Sequence, residues 1–158
     1  MTLSSSLSHF REFSPDPSWP RIVTVDAHTA GEPLRVIVSG FPALPGDTIL
    51  ARRRAARAQF DHLRSALMWE PRGHADMYGC ILVAPERADS DFGVLFTHNE
   101  GYSTMCGHGI IAVSVVVLEL GLIERREPIT TLRIDTPAGL VIALALVEEG
   151  RVRSVAFR

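Results

Sequence analysis

Lysine does not occur anywhere in the 158 residues; the 16 residues counted as Lys plus Arg are all arginine. That absence has chemical weight. A pyridoxal-phosphate enzyme holds its cofactor through a lysine Schiff base, so this chemistry is closed to the chain. A phosphate-binding P-loop is closed as well, because it needs the lysine of its GK[ST] element. Cysteine is scarce: Cys80 and Cys106 are the two, and they form no CxxC pair. Two such thiols in a chain without a secretion signal argue against a disulfide framework. Long apolar runs are missing too. The Ser- and Pro-rich start, Met1 to Pro20, lacks the apolar core of a signal peptide. The strongest apolar run, Gly109 to Leu122, is broken by Ser114 and Glu119 and is too short to cross a bilayer. A net charge of -2 gives no basis for a nucleic-acid or acidic-membrane partner. The setting these absences imply is soluble, reducing and cytoplasmic.

What is present reads as a flexible tail over residues 1–20, followed by one folded unit over 21–158. Arg21 to Asp26 and Leu34 to Ser39 read as strands, joined by a turn in which Gly31 and Pro33 supply backbone freedom and a fixed φ. A helix then follows, capped by Asp47 or Thr48, with Ile49, Ala56, Phe60, Leu63 and Leu67 at helical spacing. Arg52, Arg53, Arg54 and Arg57 are read as its solvated face. Tyr78 to Ala84 and Phe92 to Thr97 are two further strands, and Thr131–Asp135, Leu140–Val147 and Val152–Phe157 close the chain. Between them, residues 107 to 120 are apolar on nearly every face. Many are β-branched, so a buried parallel strand competes with a helix. The length, the Gly-rich start and Gly121 at the end favour a helix buried on all sides. The fold class implied is α/β (α+β): a curved, mixed, largely antiparallel sheet wrapped around a central buried helix.

The chemistry-bearing stretch is His98 to Gly109. It sets Cys106 at the amino end of the apolar helix, where free N–H groups stabilise anions and should lower a thiol pKa from its ordinary ~8.5. Gly107 and Gly109 leave the first-turn backbone open to a carboxylate. Against this stands the plain alternative of a small buried hydrophobe among close-packing glycines, which is also the better reading of Cys80. A second cluster runs from Glu70 to Gly79. There Arg72 is expected to pair with Glu70 or Asp76, and His74 is either a ligand or a hydrogen-bonded loop residue. A metal held by His74, His98, Cys106 and His108 would match no standard zinc spacing, so no metal site is expected.

Three segments, Asp26 to Pro33, Glu70 to Gly79 and Gly101 to Gly109, resemble in that order the proline racemase family. The likeness runs from about Arg21 to the last residue. The family includes proline racemases, 4-hydroxyproline epimerases and trans-3-hydroxy-L-proline dehydratases, and the stretch His98 to Thr104 is most similar to the dehydratases. The resemblance implies one domain of a diaminopimelate epimerase-like fold, with the active site in a cleft between two such domains. It puts the acid/base cysteine at Cys106 and backbone contacts to the substrate carboxylate at Gly107 and His108. It implies a small imino acid as partner and no cofactor. The expected reaction is removal of the α-proton and loss of the C3 hydroxyl to give Δ1-pyrroline-2-carboxylate, with racemisation or epimerisation as the alternative and an inert carboxylate-binding half as a third reading. The family's second half, with its Asp-Arg-Ser-Pro segment and Cys- or Thr-Gly-Thr/Ser-Gly motif, lies outside this sequence. The expectations attached to that are a fragment, weak activity alone, and a homodimer that could imitate the missing wall.

Overall fold

Strand alternation decides the architecture, because successive side chains leave a strand on opposite faces. In the computed structural model, which describes residues 14–158, the first two strands are β1 (Val23–Thr29) and β2 (Glu32–Ser39). In β2, Leu34 and Val36 join one buried cluster and Ile37 joins another. The same division holds in β3 (Tyr78–Val83), through Cys80 and Ile81, and in β4 (Phe92–His98), through Phe92, Val94 and Phe96 against Leu95. The sheet therefore has an inner core and an outer core.

The outer core is covered by two helices, α1 (Ile49–Gln59) and α2 (Asp61–Met68). A single helix through Leu67 is the sequence expectation, and the structure breaks it at Phe60. There φ is -127° and ψ is 15°, outside helical values. The Phe60 ring meets Phe41 edge-on at 6.1 Å. Of the two proposed caps, Thr48 is the one used: its hydroxyl accepts the Ala51 N–H at 3.1 Å. The arginine face is only partly solvated. Arg54 and Arg57 are exposed, whereas Arg52 donates to the Ala84 carbonyl and Arg53 to the Tyr102 carbonyl.

The inner core is organised by α3 (Gly107–Glu119). Its β-branched residues each cost about 0.5 kcal/mol in helix propensity, while burying a Val or Ile side chain contributes about 2 kcal/mol. Burial wins. Ile110, Val113 and Leu118 have no exposed surface, and Ser114 satisfies its hydroxyl on the Ile110 carbonyl at 2.7 Å. The helix ends in a Schellman motif: Gly121 adopts φ +69°, and the N–H groups of Gly121 and Leu122 donate to the carbonyls of Leu118 and Val117.

Three strands follow the helix: β6 (Ile129–Thr136), β7 (Gly139–Glu148) and β8 (Arg151–Phe157). A short strand, β5 (Gly101–Ser103), lies inside the chemistry-bearing stretch and pairs with β4. The eight strands run β1-β2-β3-β4-β6-β7-β8, with β5 beside β4. The β2–β3 and β4–β6 pairings are parallel and the rest antiparallel. Both ends of this order, β1 and β8, pack on α3, so the sheet curls round the helix as expected. No helix among the described residues is long and apolar enough to cross a membrane. Of the expected tail, residues 1–13 lie outside the described residues. Residues 14–20 are exposed and include a turn in which Trp19 N–H donates to the Asp16 carbonyl.

The loop between β3 and β4 is fixed by one buried carboxylate. Asp135 of β6, 3% exposed, accepts the N–H groups of Glu86 and Arg87 and the Ser90 hydroxyl, and lies 3.3 Å from the Arg87 guanidinium. Asp135→Asn keeps the shape but replaces one acceptor oxygen with a donor. The expected loss is about 1–2 kcal/mol, read as a lower urea midpoint at unchanged slope. An unchanged midpoint would show that this network carries no net stability.

Candidate active site

Cys106 is the N-cap of α3, in extended backbone at φ -146° and ψ 112°, and 7% exposed. Helix geometry leaves the N–H groups of Gly107, His108 and Gly109 without intrahelical acceptors. The Gly109 N–H faces the Cys106 sulfur and pulls its pKa down, although the contact falls short of a capping hydrogen bond. Burial is the larger effect and pushes the thiol above its ordinary value, with the Glu32 carboxylate adding to the rise. The expectation of a lowered thiol pKa at this helix end is thus corrected. One N–H at a helix terminus does not outweigh desolvation of a sulfur that is almost wholly buried.

The imidazole of His108 lies beside the thiol, with Nδ1 at 3.4 Å and Nε2 at 3.7 Å from Sγ. Nε2 is also 3.3 Å from the Pro33 carbonyl. The Tyr78 ring packs against the imidazole at 5.1 Å and 75°, while its other neighbour, His98, stacks on it at 5.5 Å and 26°. The main chain of His108 is held as well, since the Thr29 hydroxyl donates to its carbonyl at 3.0 Å. Burial, reinforced by the Arg64 cation, lowers the His98 pKa against the opposing pull of Glu100.

These contacts bring together the three sequence segments singled out above, which are far apart in the chain. Glu32, Asp76, Tyr78 and His108 line one groove of about 510 Å³, together with Trp69, His98 and Asn99. The turns that carry them are stitched by side chains. Asn99 Nδ2 donates to the carbonyls of Met68 and His74, and Arg35 donates to the carbonyls of Leu67 and Arg72. Arg64, 7% exposed, pairs with Asp61 through two nitrogens and reaches the carbonyls of His98 and Asn99. Cys106 adjoins the groove through His108 rather than lining it.

Gly107 and Gly109 have different neighbours. A Cβ on Gly107 would lie 3.3 Å from the Phe157 ring, and one on Gly109 would lie 2.6 Å from Phe96 and 3.0 Å from the Cys106 sulfur. Arg72 does not pair with Glu70 or Asp76; its Nε donates to the Ala66 carbonyl, an acceptor already fixed at the end of α2. His74 is the hydrogen-bonded loop residue, its Nδ1 at 2.5 Å from the Ala75 carbonyl. Cys80 is fully buried, and burial drives its pKa far up. Among the described residues no group of three or more His, Cys, Asp or Glu side chains could hold a metal ion. Sequence reasoning did not single out Thr29, Pro33 or Tyr78 as partners of His108. Pro33 contributes a main-chain carbonyl and leaves no side-chain signal, but all three lie in or beside the glycine-punctuated segments.

The family described as proline racemase matches residues 24–158. A trans-3-hydroxy-L-proline dehydratase of Bacillus thuringiensis subsp. konkukian is 56% identical over 134 residues, covering 85% of this chain and 40% of the relative. A 4-hydroxyproline 2-epimerase of Streptosporangium roseum is 50% identical over 131 residues, covering 83% and 39%. The crystal structure of a hydroxyproline epimerase from Agrobacterium vitis, with bound trans-4-hydroxy-L-proline, superposes with a TM-score of 0.82 at 30% identity, covering 88% of this chain and 42% of that one. The chain thus spans about 40% of the length of the relatives it matches.

Proposed function

This chain belongs to the proline racemase family, and from that we propose that it forms one wall of a site that removes the α-proton of a proline-type imino acid, with Cys106 as the base. The observation that carries the reading is the placement of the Cys106 thiol at the amino end of a buried helix, beside His108 and next to an open groove. The N–H groups of Gly107 and His108 are assigned to the substrate carboxylate, where charge grows as the carbanion forms. An α-proton of this kind is weakly acidic, so those donors and the exclusion of water do the work that a pyridoxal ring would otherwise do. The opposite wall is assigned to a second domain of the kind the resemblance implies, which makes residues 21–158 the amino-terminal domain.

For trans-3-hydroxy-L-proline the step balances with one base. The α C–H bond breaks toward Sγ, its electron pair forms the C2=C3 bond, and the C3 hydroxyl, on the same ring face as the α-hydrogen, leaves as water with the proton returned from Sγ. The enamine then tautomerises to Δ1-pyrroline-2-carboxylate. The 56% identity to a dehydratase favours this reaction. Epimerisation of a hydroxyproline is the second reading, favoured by the 50% identical 4-hydroxyproline 2-epimerase.

Proton NMR in D2O tests it, with trans-3-hydroxy-L-proline, trans-4-hydroxy-L-proline and L-proline offered in turn. Loss of the α-proton signal is expected for one of them, and a pyrroline product marks the dehydratase. The same assay applies to residues 21–158 fused to the carboxy-terminal domain of the Bacillus thuringiensis dehydratase. A folded fusion that exchanges none of the three would overturn the reading.

A further inference from the structure

Three contacts hold the Tyr78 ring. It stacks on His98, meets His108 edge-to-face, and sets its hydroxyl 2.5 Å from the Ser103 hydroxyl. The last of these reaches across the sheet. Tyr78 of β3 is paired with His98 of β4, and Ser103 of β5 with Phe96 of the same strand. The two hydroxyls therefore meet across β4 and tie together strands that share no backbone ladder. β5 is only three residues long, and three residues after Ser103 the chain reaches Cys106. The ring that Ser103 holds also backs the ring that covers the sulfur. His108 lays its two nitrogens at 3.4 and 3.7 Å from Sγ, and Cys106 is left 7% exposed.

From this run of contacts we propose that Ser103 is a positioning residue of the site: its hydrogen bond to Tyr78 clasps β3 to β5 and, through the Tyr78 ring, keeps the His108 imidazole seated on the Cys106 sulfur. Ser103 touches neither His108 nor the thiol in this role and acts only through the phenol. The inference deepens the proposed function and rests on it for the identity of the base.

What the clasp sets is how often the cover opens. A thiol this buried meets a reagent from solution in an opened state, so its rate follows the population of that state. Loss of one partly buried hydroxyl–hydroxyl bond raises such a population about fivefold. Opening also relieves the burial that pushes the thiol pKa up, which acts in the same direction. Removal of an α-proton responds the other way, because it needs the sulfur held in one place against the substrate. Release of the clasp therefore speeds one reaction of the sulfur and slows the other.

Alkylation of the 158-residue chain by iodoacetamide at one fixed pH tests this, with Cys106 and Cys80 followed separately by mass spectrometry. Ser103→Ala is expected to raise the Cys106 rate about fivefold, while Cys80, fully buried in the inner core, keeps its parent rate. Tyr78→Phe removes the same bond from its other end and should give the same rise. The double variant should rise no further, because the loss of one shared contact is not counted twice. Ser103→Thr keeps the hydroxyl and should restore the parent rate. An unchanged Cys106 rate in folded Ser103→Ala overturns the proposal. So do additive effects, or a parallel rise at Cys80, which would make the bond one of general stability. Should one of the two single variants fail to fold, the other decides. In the fusion, Ser103→Ala should lower α-proton exchange severalfold at saturating substrate, with recovery in Ser103→Thr. If alkylation answers to Ser103 but the parent fusion exchanges none of the three imino acids, the clasp stands and the substrate reading falls. If the fusion exchanges and neither reaction answers to Ser103, the substrate reading stands and the clasp falls.

Discussion

Cys106→Ser should reduce α-proton exchange by about three orders of magnitude or more while leaving the protein at least as stable. The two halves of this expectation have separate causes. A serine hydroxyl in the same buried position is a far weaker acid than the thiol, so its conjugate base is almost absent near neutral pH. No helix-end N–H or imidazole closes a gap of that size. Stability moves the other way. Cys106 is the N-cap of α3 and its sulfur makes no capping hydrogen bond. Serine is among the preferred N-cap residues, and its oxygen can accept the Gly109 N–H at the third helical position. The gain expected is up to about 1 kcal/mol. Exchange in the D2O assay and the urea midpoint measure the two effects on one preparation. Exchange close to the parent rate, in protein shown to be folded, would remove Cys106 from the chemistry.

The placement of this cysteine at a helix end was legible in the sequence because the signals coincide. An apolar run of helical length, a glycine-rich start and Gly121 past its end all describe α3, and the Schellman motif forms where Gly121 allows it. Strand alternation in β2, β3, β4 and the three closing strands was equally plain, since each buries one face in the inner core. Other features lay beyond one-dimensional reading. Helical spacing runs straight through Phe60, so nothing local announces that α1 and α2 part there. The parallel pairings of β2 with β3 and β4 with β6 depend on which strands the crossovers bring together. Arg72 takes a carbonyl instead of a carboxylate because the end of α2 offers the Ala66 oxygen, which composition cannot foresee. The thiol's upward shift came from desolvation, a property of the packed core rather than of the helix end read in isolation. The residues around the thiol were legible as segments and not as contacts. Glu32, Tyr78 and His108 each sat in a motif, but only the fold makes them neighbours.

Gly109→Ala gives the other large effect, and here propensity and packing oppose each other. In a free helix alanine is better than glycine by about 1 kcal/mol. At this position the added methyl would lie 2.6 Å and 3.1 Å from two carbons of the Phe96 ring and 3.0 Å from the Cys106 sulfur. Phe96 is fully buried on the inner face of β4 and has nowhere to withdraw. Relief has to come from movement of the first turn of α3, which carries both the thiol and the His108 ring. Overpacking of a rigid core costs about 1–3 kcal/mol and sometimes more, so a net loss of about 2 kcal/mol is expected despite the propensity gain. For a domain of this size that lowers Tm by roughly 4–8 °C. Alkylation of Cys106 by iodoacetamide and α-proton exchange should fall together, because the added methyl presses on the sulfur at 3.0 Å. The double change Gly109→Ala with Phe96→Leu separates the two clashes. Leucine vacates the space taken by the ring edge, so part of the stability should return, whereas the contact with sulfur remains and alkylation should stay slow. Recovery of both would place the whole effect on Phe96. A Gly109→Ala protein as stable and as reactive as the parent would mean that the helix start moves freely, and the tight seating of the thiol would then have no functional weight.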